Sequence, residues 1–343
     1  HPWDDPSPAG SAVKAFLESD VGLSMRSLPR AAPLVVLALA VFTGSLVSAV
    51  TRNHQRWARP ATAGVVVLAV LSLPPLWRGQ MVDSNLDRPE DIPNYWVRAA
   101  AALEARDDGT RVFEIPGEDF ASYRWGTTVD PITPGLMDRP YVARELIPYG
   151  SPPSADVLNA VDRRFQEQVA EPDAIAPMAR FMGVGDIAVR SDLTYERYNT
   201  PRPRRLWATM LAAPGLGEPI GFGGTERNVP RPQLPLLDEQ ELLTSPDAAD
   251  PPKVAIVPVE DPEKIVRTAS TDQPVVMAGD AEGIVDLAAS GLVTGHELLF
   301  YSGTFADDPA GLRAQLRNDA ALVLTDTNRR RPAVGGRCAT TSA

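Results

Sequence analysis

AAPLVVLALAVFTGSLVSAV, residues 31–50, and ATAGVVVLAVLSLPPLW, residues 61–77, are two uncharged apolar runs, and the sequence after them is polar and acidic. A run of about 17 to 25 such residues can cross the ~30 Å hydrocarbon core as a helix, because a helix satisfies its own backbone groups in lipid. The pair predicts a transmembrane helical hairpin, 31–78, with a basic loop at 51–60. Two buried core helices are the alternative reading. Pro33 falls in the first turn, where a missing N–H costs little, and Gly44, Ser45 and Ser48 allow close helix contact. Trp77 and Arg78 read as interfacial anchors at the exit.

Charge does not orient this hairpin. Arg52, Arg56 and Arg59 lie in the loop, but Lys14, Arg26 and Arg30 precede the first run, so the positive-inside count is nearly tied. The loop arginines either set topology or dock an acidic cytoplasmic partner or anionic lipid head groups. Upstream, in 1–30, Val13, Phe16, Leu17, Val21, Met25 and Leu28 recur at helical spacing. That stripe fits a helix lying in the membrane interface or a third packed helix.

The chain has 343 residues, enough for further folded units, and a net charge of −11. Its acidity excludes nucleic acid as a partner of the soluble part, since phosphate binding needs clustered Lys and Arg. The 34 prolines crowd the stretch from Pro201 to Pro262, which predicts a proline-rich connection over 201–252. Cys338 is the single cysteine, so no intrachain disulfide and no cysteine metal site can form. The start at His1, without methionine, reads as a piece cut from a longer polypeptide.

Between 79 and 200 helix and strand signals alternate, as in an α/β unit. Trp96, Ala99, Ala100 and Leu103 share one helical face behind a capping Asn94, and Arg111–Ile115 reads as a strand. Helices are predicted from Ser154 and, capped by Asp173, from Ala174 to Met182, with a strand at Asp186–Arg190. A second α/β unit, 253–331, shows four short apolar strands at 254–257, 275–277, 298–301 and 322–324. Asp261-Pro262 and Asp308-Pro309 look like helix starts between them. The prediction is a small parallel sheet with alternating helices, with ligand loops at Gly279-Asp280, Ser302-Gly303 and Thr325-Asp326.

Common catalytic signatures are absent: there is no Walker loop, no Gly-x-Ser-x-Gly and no His-Glu-x-x-His, and His1, His54 and His296 are far apart. No metal or cofactor is expected. The densest polar and aromatic block runs from Glu114 to Gly126. Glu118, Asp119, Tyr123, Arg124 and Trp125 are its candidate glycan contacts, because rings pack on sugar faces and charged groups hold hydroxyls. The structural reading of the same block is that its aromatics fill a core and Arg124 pairs with Asp119 or Asp130.

Several segments together carry a resemblance: Tyr95-Trp96, Glu114 to Gly126, Arg144-Glu145-Leu146-Ile147-Pro148-Tyr149-Gly150, Ala179 to Leu193, and Leu324 to Arg330. The set resembles the actinobacterial alpha-(1→3)-arabinofuranosyltransferases of the D type, C-type glycosyltransferases with many membrane spans. The resemblance implies transfer of arabinofuranose from a decaprenyl-phosphate donor to cell-wall arabinan at the plasma membrane. It implies a catalytic aspartate upstream of this fragment, which holds the last spans and would be inactive alone. It also places 1–30 and the soluble region outside, with the arginine loop inside. Residues 332–343 depart from the pattern and read as a reading-frame artefact. Two readings compete with this one: a non-catalytic membrane-anchored protein that binds glycan or scaffolds a wall complex, and another C-type enzyme such as a polyprenyl-phosphate mannosyltransferase.

Overall fold

The computed structural model describes residues 11, 14–16, 32–53, 55–71, 91–145, 151–198, 200–230, 244–245 and 247–325. Most of the amphipathic stripe before the first span, the Trp77-Arg78 exit, Leu146–Gly150 and everything after Thr325 lie outside these residues. The chain divides into two compact units, 1–84 and 85–343.

In the first unit, helix α1 (Ala32–Asn53) packs against α2 (Gln55–Leu71). The basic loop expected at 51–60 is not formed as a loop. Arg52 closes α1, and Arg56 and Arg59 belong to the first turns of α2, because arginine is a good helix former and extends a helix already started. All three arginines are exposed. Thr43 and Thr51 return their hydroxyls to Leu39 and Val47 carbonyls at 2.7 Å, so these two hydroxyls are satisfied within the helix. Among the described residues α1 alone is long and apolar enough to cross a membrane; in α2 the apolar part covers Thr62–Leu71. At 22 residues and ~1.5 Å each, α1 is about 33 Å long, enough for the hydrocarbon core.

The second unit opens with α3 (Asn94–Glu104), whose buried face is Trp96, Ala99, Ala100 and Leu103, as the spacing predicts. Its N-cap position is Pro93, not Asn94. Strand β1 (Arg111–Ile115), a small hairpin of β2 (Ala121–Ser122) and β3 (Thr127–Val129), and β4 (Tyr141–Val142) follow. Next come α4 (Pro152–Gln166), α5 (Pro172–Phe181) and β5 (Val184–Arg190). Pro172 occupies the first helical position of α5 and Glu171 the N-cap position, so Asp173 sits within the first turn instead of capping it. Short helices α6 (Tyr195–Tyr198) and α7 (Pro203–Leu211) lead to β6 (Ile220–Phe222) and β7 (Val254–Pro258).

These strands form a five-stranded sheet in the order β4-β1-β5-β7-β6. The first three are parallel, and β7 runs antiparallel to both β5 and β6. Strand β5 is buried at all seven residues, which is why its polar members Asp186 and Arg190 need internal partners. Asp186 takes Arg139 at 2.8 Å and Arg106 at 2.8 Å.

The remaining elements are β8 (Val275–Ala278), α8 (Ala281–Ala289), β9 (Leu299–Tyr301), α9 (Pro309–Arg317) and β10 (Ala321–Leu324). They build a parallel sheet of three strands, β10-β8-β9, and not the four expected. The fourth candidate, β7, belongs to the larger sheet. An apolar strand buried on both faces carries no local signal of its partner, and the pairing Arg190↔Val254 fixes it beside β5. Asp261-Pro262 opens no helix: Asp261 lies at φ 50°, in the left-handed region, and the chain runs irregularly to β8. Asp308-Pro309 does open one, with the Asp308 carboxylate accepting from Gly311 N at 2.8 Å.

Candidate functional site

Parallel strands β1 and β5 end side by side, and the carboxyl ends of such strands are where polar groups converge. Glu114 on β1, Glu118 just after it, Arg190 at the end of β5 and Asp192 just beyond are all at most 3% exposed. Arg190 Nη1 lies 3.4 Å from Glu114 Oε2, and its Nη2 donates to the Pro116 carbonyl. Glu118 accepts from Ser122 N at 3.0 Å. Burial pushes the Glu118 carboxyl up to about 8, against the pull of Arg190. Glu114 and Asp192 are likewise raised by burial. Burial alone would lower Arg190, but Glu114, Tyr123 and Glu118 around it hold it above its ordinary value.

The β2–β3 hairpin lies against the segment after β5. Arg124 N donates to the Asp192 carbonyl at 2.7 Å and Thr194 N to the Ser122 carbonyl at 2.7 Å. Oδ2 of Asp192 accepts three hydrogen bonds, from Tyr95 Oη at 2.8 Å, Trp96 Nε1 at 2.9 Å and Trp125 Nε1 at 3.0 Å. One carboxylate thus joins α3 to the hairpin. Tyr123 stacks on Trp125 with centroids 4.8 Å apart and meets Trp96 edge-on at 5.6 Å.

Of the residues expected to contact glycan, Tyr123 is fully buried and Glu118 is 3% exposed, so neither presents an open face in this structure. Arg124 pairs with neither Asp119 nor Asp130. Its Nη1 and Nη2 reach Glu196 of α6 at 2.5 and 2.7 Å, a bidentate pair, and its guanidinium lies 4.9 Å from the centre of the Tyr195 ring. Asp119 instead takes Arg144 at 2.6 Å, whose Nε holds the buried Asp162 at 2.9 Å.

What the loop does expose is aromatic and charged. Phe120 is 39% exposed and meets the half-buried Tyr198 at 6.0 Å, and Arg197 lies 5.5 Å from the centre of the Tyr198 ring. Trp125 is half-buried and Asp119 partly open. Tyr198 and Arg197 were not singled out in the sequence, because they lie more than seventy positions from the loop and carry no motif. Their one available signal was the Tyr195–Tyr198 aromatic spacing.

The three loops expected to gather ligands lie at the ends of the small sheet. Gly279-Asp280 precedes α8, Ser302-Gly303 is wound into a 3-10 turn, and Thr325 N donates back to the Ala278 carbonyl at 3.0 Å. No cluster of three or more His, Cys, Asp or Glu is placed to hold a metal among the described residues.

A family model that describes a GT-C domain matches the chain over residues 1–343. The chain belongs to the alpha-(1→3)-arabinofuranosyltransferase family, through that family's N-terminal GT-C domain. It is 29% identical over 236 residues to the alpha-(1→3)-arabinofuranosyltransferase of Mycobacterium tuberculosis, covering 63% of this chain and 17% of the relative. With the Mycolicibacterium smegmatis enzyme of the same name it shares 30% over 256 residues, 68% of this chain and 18% of the relative. The cryo-EM structure of the arabinofuranosyltransferase AftD from mycobacteria superposes with a TM-score of 0.55 at 25% identity, covering 78% of this chain and 20% of that one. The chain thus spans less than a fifth of the curated relatives' length. Those relatives are named as arabinofuranosyltransferases, and α1 has the length and composition of a membrane-crossing helix.

Proposed function

We propose that this chain is part of a membrane glycosyltransferase that moves arabinofuranose from decaprenyl-phosphoryl arabinose to the arabinan of the cell wall. The observation that carries this reading is the match of the GT-C domain model over the whole chain. In this reading α1 and α2 are the closing spans of that domain, in a multi-pass protein of the plasma membrane. The adjoining ends of α1 and α2, with Arg52, Arg56 and Arg59, face the cytoplasm, where those cations suit an acidic partner or lipid head groups. Residues 79–331 stand outside.

Glu114, Glu118 and Asp192 are buried against Arg190, Ser122 and three aromatic donors, so they are held away from any acceptor hydroxyl. The part of the loop suited to the arabinan acceptor is its open side: Asp119, Phe120, Arg124 and Trp125, joined by Arg197 and Tyr198. Flat aromatic faces beside charged hydrogen-bonding groups are what a furanose chain needs.

The test uses the full-length enzyme. Phe120→Ala and Tyr198→Ala should raise the KM for an arabinan oligosaccharide about tenfold with thermal stability unchanged, whereas Tyr123→Ala should lower stability instead. Acceptance of a decaprenyl-phosphoryl mannose donor in place of the arabinose donor, or an unchanged acceptor KM in both surface variants, would refute this assignment.

A further inference from the structure

A cleft of about 550 Å³ opens within the second unit, away from the loop described above. Its walls include Val142 of edge strand β4, Val157 and Leu158 of α4, Phe181 of α5 and Leu299 of edge strand β9. These side chains pack against the core yet stay half-buried, so the apolar wall is left open. A volume of this size and character is that of a small-ligand site, for which ~300–1,000 Å³ is usual.

Three charged groups line it. Arg111 Nη1 donates to the Met182 carbonyl at 2.7 Å, and Arg267 donates to the Arg180 and Phe181 carbonyls at 2.8 and 3.3 Å. Both guanidiniums are therefore fixed at the carboxyl end of α5 by neutral acceptors, and no carboxylate pairs with either among the described residues. Each retains donors, since a guanidinium has five. Glu297, the acid in the wall, is already occupied by its own turn, accepting from Thr294 N, Thr294 Oγ1 and Gly295 N. The cleft thus combines an apolar trough with one uncompensated positive charge.

We propose that this cleft binds a single-chain amphiphile with an anionic end, such as a long-chain carboxylate. The hydrocarbon lies along Val142, Leu158, Phe181 and Leu299, and the anion meets Arg111 and Arg267. Charge complementarity chooses this occupant over an uncharged one: a neutral apolar ligand would leave the cationic rim unanswered.

The test is photolabelling of the full chain in zwitterionic lipid nanodiscs with a diazirine analogue of hexadecanoate, followed by peptide mapping. Adducts are expected within residues 142–182 and 297–299. Ala269→Trp, which fills the cleft from an exposed position, should cut them at least tenfold. Ser154→Trp, from the α4 wall, repeats the test should the first variant fail to fold. Arg267→Gln should reduce labelling several-fold for the carboxylate. Three results would overturn the proposal: equal labelling by the matching hexadecanol analogue, labelling that both filling variants leave unchanged, or adducts absent from the cleft peptides.

Discussion

Oδ2 of Asp192 accepts from the indole Nε1 of Trp125 at 3.0 Å, and through the same oxygen this hairpin residue is tied to Tyr95 and Trp96 of α3. Removing the carboxylate leaves the buried Trp96 indole without an acceptor and takes the same acceptor from Tyr95 and Trp125, which are partly exposed. Asp192→Ala should cost on the order of 3 kcal/mol, while Asp192→Asn, which keeps an acceptor oxygen, should cost less than half of that. Urea unfolding followed by tryptophan fluorescence measures both. Equal losses in the two variants would mean that the hydrogen bonds do not matter.

Arg124 and Glu196 make a bidentate pair in which the Glu196 side chain is 1% exposed. Losing the bidentate cation removes compensation from a charge in a poorly solvated place, so Arg124→Ala should destabilise by about 3 kcal/mol. The double variant Arg124→Ala with Glu196→Gln should recover part of it, since the enclosed charge is gone. A double-mutant cycle with no coupling would contradict this pairing.

Glu118 gives a pH dependence whose sign is fixed by its environment. Burial raises its folded-state value to about 8 from an ordinary 4.5, so between these limits the folded chain holds a proton that the unfolded chain has lost. Its contribution to stability is complete below the ordinary value and falls as pH rises through the window between 4.5 and about 8. Glu118→Gln should flatten this part of the melting-temperature profile and gain most at alkaline pH. A profile unchanged by the substitution would assign the slope to other groups.

Gly117 admits no side chain. A Cβ there would stand 2.7 Å from Arg144 Cβ and 2.8 Å from both the Arg144 carbonyl and Asp162 Oδ2, against backbone that cannot yield. Gly117→Ala should cost about 1–3 kcal/mol by overpacking and loosen the Arg144–Asp162 pair. Gly135→Ala, whose Cβ meets nothing within 4 Å, is the control and should leave the melting temperature unchanged.

Much of the local structure was legible in the sequence. The Arg111–Ile115 strand, the buried face of α3 and the Asp308 cap follow from periodicity and one capping carboxylate. The candidate site was legible only as a segment. Its block from Glu114 to Gly126 stood out by composition, but nothing there told that Tyr123 would be buried and Phe120 open, because both lie in a short irregular loop with no period to read. The partners of Arg124 and Asp119 were misassigned for a related reason. Nearby acids were favoured, whereas the fold brings Glu196 from 72 residues away and Arg144 from 25.

The sequence by itself determined the long apolar helix, the α/β character and the family, since each rests on local pattern or on residues quoted in order. Tertiary structure alone decided that β7 joins β5 and not the small parallel sheet, and that one oxygen of Asp192 gathers three aromatic donors. Strand partners and buried polar contacts are chosen by register and by the need to satisfy every enclosed charge. Those are properties of the assembled core, and no short stretch of chain carries them.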